Sequence, residues 1–160
     1  MTTTYDCIAT TTLGSAAASV TFSSIPSTYT DIIIVVSGTT ASGSGISLRY
    51  NSDTGSNYSD TYLYGNGSSA TSGRNTGETV GYVGYLSTGQ GDSIIQVMNY
   101  ANTTTYKTAI GRGNQAGVLT VARVMLWRST AAISTITVGT DTAINISSGT
   151  TFTLYGIKSE

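Results

Sequence analysis

The stretch that most constrains this chain is Asp31 to Ser37, Asp-Ile-Ile-Ile-Val-Val-Ser, in which Ile32 to Val36 are consecutive β-branched apolar residues. Branching at Cβ restricts χ1 and suits a pleated backbone better than a helix. The run is too short for a helical membrane span and has the length of one strand. Neighbouring side chains of a strand point to opposite faces, so an all-apolar strand is expected to be buried on both. One face would meet a sandwich core. The other, in so small a chain, would meet a second copy. Ile32, Ile33, Ile34, Val35 and Val36 are therefore candidates for core or oligomer interface. Val118 to Arg128 repeats the pattern. There Val118, Ala122, Val124 and Leu126 mark one face and Leu119, Val121, Met125 and Trp127 the other, with Arg123 the exception. Val121, Met125 and Trp127 join the same candidate set, and a homo-oligomer is expected.

Around these runs, short extended segments alternate with turn chemistry. Tyr5 to Thr12 is Thr-rich and extended; Ala18, Val20 and Phe22 lie at period two; Ile46, Leu48 and Tyr50 share a face. Tyr58 to Tyr64, Val80 to Leu86 (with Tyr82 and Tyr85 on opposite faces), Ile94 to Met98 and Tyr106 to Arg112 follow. Ile133 to Val138, Ala143 to Ile146 and Thr151 to Ile157 complete the set. Asn51 to Asn57 reads as a turn, Gly65 to Gly77 as the longest polar loop, and Gly111 to Asn114 as a turn. Nineteen glycines against one proline supply the tight turns such a chain needs. No 3.6-residue periodicity is sustained. About ten short strands at 8–12-residue spacing predict an all-β fold: one domain over residues 1–160, an antiparallel β-sandwich, jelly-roll-like.

The chemistry is limited by what the chain lacks. Without histidine, imidazole triads and imidazole metal sites are excluded. Cys7 is the only cysteine, so no intramolecular disulfide forms, and it reads as a small buried hydrophobe. Asp53 and Asp60 are the nearest approach to a catalytic carboxylate pair, but they read as turn and strand-end acids. Asn51, Asp53 and Asn57 offer oxygens at a calcium-like spacing. Gly55, Ser56 and Tyr62 then stand where an EF-hand loop needs a ligand, a glycine and a glutamate. No metal, cofactor or catalytic set is expected. Charged residues are 9% of the chain and its seven cationic side chains are scattered, which argues against a nucleic-acid surface. The N-terminal Met-Thr-Thr-Thr-Tyr-Asp has neither the basic region nor the apolar core of a signal peptide, so assembly inside a cell, away from membranes, is expected.

Tyrosine supplies eleven of the aromatic residues, against two Phe and one Trp, and it joins a flat apolar ring to a polar tip. Tyr58, Tyr62 and Tyr64, with Asn57, Asp60 and Asn66, are candidates for glycan contact. Cross-strand aromatic packing is the competing explanation.

Several strings resemble a group of small bacteriophage virion structural proteins, found in phages of cyanobacteria and other aquatic bacteria. They are Ile8 to Thr12, Val20 to Asp31, Leu48 to Tyr58 (Leu-Arg-Tyr-Asn-Ser-Asp-Thr-Gly-Ser-Asn-Tyr), Tyr62 to Gly67, Asn99 to Thr108 and Thr151 to Lys158. The resemblance spans nearly the whole chain. It implies a non-enzymatic β-sandwich on a capsid or tail fibre, as a capsid decoration or fibre component, often a trimer. The partners it implies are other virion proteins, such as major capsid or tail proteins, and the location is the virion, assembled in the bacterial host cytoplasm. A tail-associated adhesin or carbohydrate-binding module recognising host-surface glycan is the alternative. The group brings no catalytic or ligand residues to carry over.

Overall fold

A computed structural model describes residues 4–141 and 144–158. Twelve strands lie in it: β1 (Tyr5–Thr12), β2 (Ser19–Phe22), β3 (Asp31–Gly38), β4 (Ser44–Tyr50), β5 (Tyr58–Gly65), β6 (Ala70–Glu78), β7 (Gly81–Leu86), β8 (Gly91–Met98), β9 (Lys107–Gln115), β10 (Leu119–Trp127), β11 (Ile136–Thr140) and β12 (Thr151–Ile157). They form a large sheet in the order β1-β12-β3-β8-β9-β10-β5-β6 and a small one in the order β2-β11-β4-β7. All ladders are antiparallel. The fold is an antiparallel, jelly-roll-like β-sandwich.

The core lies between the sheets and follows from period-two alternation. On β3, Ile32, Ile34 and Val36 are fully buried. Ile34 stands between Leu154 of β12 and Ile95 of β8, both also buried. The small sheet answers with Phe22, Ile46, Leu48, Val83, Ile136 and Val138. Each such side chain removed from water contributes roughly 1.5–3 kcal/mol before the entropy of ordering is set against it.

Within a single copy, β3 and β10 are buried on one face only. Ile33 and Val35 are only half-buried, on the outer face of the large sheet, where their cover comes from neighbouring strands. On β10, Val121, Met125 and Trp127 point into the sandwich, while Val124 on the opposite face is 50% exposed. The small sheet has only four strands, so one face of the large sheet stays outside any sandwich.

Other readings change as well. Gly65 to Gly77 is no long loop: β5 and β6 form a hairpin paired from Tyr58↔Glu78 to Gly65↔Ala70. Gly111 to Asn114 is no turn but the middle of β9. A Cβ at Gly111 would overlap the Val83 carbonyl, so glycine here lets β7 of the small sheet pack directly on β9. Cys7 is exposed, on an edge strand with an irregular register between Cys7 and Ala9. Of the segment Ala143 to Ile146, Ala143 lies outside the described residues; Ile146 makes isolated bridges to Ala17 and Thr40.

Candidate functional site

The neighbouring strands β5 and β10 send one row of paired side chains toward the small sheet: Tyr58↔Trp127, Asp60↔Met125, Tyr62↔Arg123 and Tyr64↔Val121. Burial falls along this row. At one end Tyr58 is fully buried and Trp127 nearly so, packed with Tyr50, whose ring centroid lies 5.4 Å from that of Trp127 in an edge-on contact. The phenol of Tyr58 accepts from the Tyr50 amide at 3.0 Å. Burial, and less strongly the Asp53 charge, push the Tyr58 phenol up to about 12 against the opposing backbone hydrogen bond and the Arg49 charge. Tyr58 is therefore removed from the glycan candidates: the small sheet covers it.

Past Met125 the cover thins: Tyr62, Arg123 and Tyr64 are half-buried, while Val121 at the far end is again buried. Arg123 Nη1 meets Asp60 Oδ2 at 3.1 Å, and Asp60 Oδ1 accepts from Asn75 Nδ2 of β6 at 3.0 Å. Burial pushes the Asp60 carboxyl above its ordinary range, more than those two partners pull it down. The guanidinium lies 4.8 Å from the centre of the Tyr62 ring and 5.7 Å from that of Tyr82. Tyr62 and Tyr64 stack at 6.0 Å. Burial first, then the charges of Glu78, Asp141 and Asp60, raise the Tyr82 phenol against the opposing pull of Arg123.

These groups border a cleft of about 250 Å³ between the sheets. One wall is Tyr64, Leu119, Val121 and Arg123; the other is Gly43 to Gly45, Tyr85 and Asp141. Glycine shapes the second wall: a side chain at Gly43, where φ is 76°, would strike the Tyr85 hydroxyl. Ser44 Oγ donates to Asp141 Oδ1. Tyr85 lines the cleft and Tyr82 flanks its arginine, so both rings lie on the side of β7 that faces β10, whereas alternation expected opposite faces. The ladder between β4 and β7 shifts register between Ile46 and Ser47, which changes the parity.

Of the six glycan candidates, the structure brings Tyr64 to the lining of this cleft, with Tyr62 beside it, stacked on Tyr64 and under the Arg123 guanidinium, and Asp60 paired to Arg123. Asn57 and Asn66 serve turns instead: Asn57 Nδ2 donates to Asp53 Oδ2 at 2.9 Å, and Asn66 Oδ1 accepts from the Ser68 and Ser69 amides. Asp53 is held separately from Asp60. It accepts from Trp127 Nε1 at 2.6 Å and from the Gly55 amide at 2.8 Å. Burial works against its ionisation, but Trp127, Asn57, Gly55 and the Arg49 charge together hold its carboxyl below the ordinary range. Sequence reasoning missed Arg123, Tyr82, Tyr85 and Asp141 as site residues. The available signal was Arg123 itself, a charge standing in an otherwise apolar strand.

The class defined by these ladders is a two-sheet antiparallel β-sandwich with an aromatic, arginine-bearing cleft. No family model and no curated protein matches the chain. Among solved structures, the galectin LEC-6 of Caenorhabditis elegans is 8% identical over 94% of this chain and 96% of that one, with a TM-score of 0.39. The alginate lyase Aly36B is 9% identical over 92% of this chain and 77% of its own, with a TM-score of 0.35. A variant of that lyase in complex with alginate tetrasaccharide is 8% identical over 82% and 72%, with a TM-score of 0.32.

Proposed function

We propose that this chain is a non-enzymatic structural module of a bacteriophage virion surface whose cleft holds a host-surface glycan. The observation that carries the glycan reading is Tyr64 beside the Arg123 guanidinium in the lining of a cleft of about 250 Å³, with Tyr62 stacked on Tyr64 next to it. Flat rings suit the C–H face of a sugar, and fixed polar groups at the margin suit its hydroxyls. The lining carries one cationic side chain, Arg123, and one anionic side chain, Asp141, which favours a neutral sugar over an acidic one. The virion reading draws on the resemblance of the quoted strings and on the small number of charges, which permits dense packing of copies and of other virion proteins.

The test is a glycan array probed with the full chain, followed by titration of the best neutral ligand. Tyr62→Ala and Tyr64→Ala are expected to weaken binding by about tenfold or more with the melting temperature kept, as loss of an aromatic contact does. An array on which nothing binds overturns the glycan reading. Capsid decoration is the second reading, favoured by the exposed apolar residues on the outer face of the large sheet. A reconstruction of an intact virion carrying the chain would separate capsid from tail.

A further inference from the structure

We infer that the outer face of the eight-stranded sheet is the surface on which copies of this chain meet. The alternation that sends Ile34 into the core sends Ile33 and Val35 outward, and the ladders extend both into rows. One row runs Val35, Ile94, Arg112, Ala122, Leu63 across β3, β8, β9, β10 and β5. The adjacent row runs Ile33, Gln96, Ile110, Val124. These are not side chains half-hidden by chance: Leu63 is 57% exposed, Val124 50%, Ile110 44% and Ile94 42%. This face is opposite to the one that carries Val121, Met125 and Trp127, so it is distinct from the cleft as well.

Size argues for a second copy. With strands about 4.8 Å apart and same-face residues about 6.8 Å apart, the two rows, apolar except at Arg112 and Gln96, cover on the order of 400 Å² and the whole face on the order of 1,000 Å². The first figure is as large as the largest apolar patch of an ordinary monomer, about 300–600 Å². The second matches the roughly 800 Å² per partner of a stable complex. The margins are polar, with Thr10, Thr12, Thr151 and Thr153 at one edge and Ser72 and Arg74 at the other, as around an interface centre. The charges on the face are Arg74, Arg112 and, just past β10, Arg128 against Asp31 and Asp92, a net of one positive charge. So small a net charge adds little repulsion between copies and offers little to select a strongly acidic or basic partner.

The experiment is sedimentation velocity of the full chain from micromolar to hundred-micromolar concentration, beside Ile110→Lys/Val124→Glu. Both positions are exposed, so the variant is expected to keep the wild-type circular dichroism. The expected result is an oligomer for the wild type and association weakened at least about tenfold, toward monomer, in the variant, as loss of central contacts produces. Should the double variant fail to fold, Leu63→Ser, the most exposed of the four, carries the same test. A wild type that stays monomeric at the highest concentration overturns the inference. So does an oligomer that none of these substitutions disturbs, or a monomer that binds only a different protein through this face.

Discussion

Trp127 Nε1 donates to Asp53 Oδ2 at 2.6 Å, tying the end of β10 to the turn that precedes β5. The same carboxylate closes that turn through the Gly55 amide and Asn57. Asp53→Asn is expected to lower stability by about 1–3 kcal/mol at neutral pH, the range for hydrogen bonds to a charged group. The sign of the pH dependence follows from the depressed folded-state pKa. The contribution is present above the ordinary carboxylate range and is lost as pH falls through the lower folded value. Urea unfolding of both proteins at neutral and acid pH checks it: the gap between them should close on the acid side.

Arg123 and Asp60 form a largely buried pair, so removing one partner leaves the other without compensation. Arg123→Met is expected to cost about 3 kcal/mol at neutral pH. Because the Asp60 carboxyl already titrates above its ordinary range, losing Arg123 raises it further, and mild acid neutralises the stranded charge. The deficit should therefore shrink as pH is lowered from neutral toward the carboxylate range. A deficit independent of pH would show that the two groups do not act as a pair.

Ile34 is fully buried, whereas Ser69 is exposed in the short turn between β5 and β6. Ile34→Asp is expected to prevent folding or assembly, since an unpaired carboxylate in an apolar core costs several kcal/mol. Ser69→Asp should stay within about 0.5 kcal/mol. Matching melting temperatures for the two soluble variants would contradict the placement of β3.

Gly111 and Gly14 make a second matched comparison. A methyl at Gly111 meets the Val83 backbone, while nothing lies within 4 Å of one at Gly14. Gly111→Ala should cost about 1–3 kcal/mol by separating β7 from β9, and Gly14→Ala should change stability by no more than about 0.5 kcal/mol. Thermal unfolding monitored by circular dichroism distinguishes them.

What was legible in the chain was whatever one strand decides alone. The β-branched run marked β3 as a strand without telling its two faces apart, whereas the alternation in β2 and β4 marked both the strands and their inward faces. β6 was not legible because Ala-Thr-Ser-Gly-Arg-Asn-Thr-Gly-Glu has no apolar face; it is an edge strand held by its backbone ladder to β5. The shared face of Tyr58, Tyr62 and Tyr64 was legible, but which of them the small sheet covers depends on where β7 crosses β10. The charge of Arg123 stood out in its strand. Its partner Asp60 is 63 residues away and adjoins it only through the register of β5 on β10.

The position of β12 between β1 and β3 bears on the order in which the molecule is completed. Thr151–Ile157 follows the other eleven strands in chain order, yet among the described residues it is the strand that joins β1 to β3 in the sheet. Until it emerges, β3 can pair with β8 on one side only, and the edge beside Ile32 to Val36 stays open to any extended segment of a neighbouring nascent chain. Closure by insertion of a strand over so long a sequence separation is slow. Cotranslational crowding, as on a polysome making many copies at once, is thus the stage at which this otherwise sparsely charged protein is most exposed to mispairing.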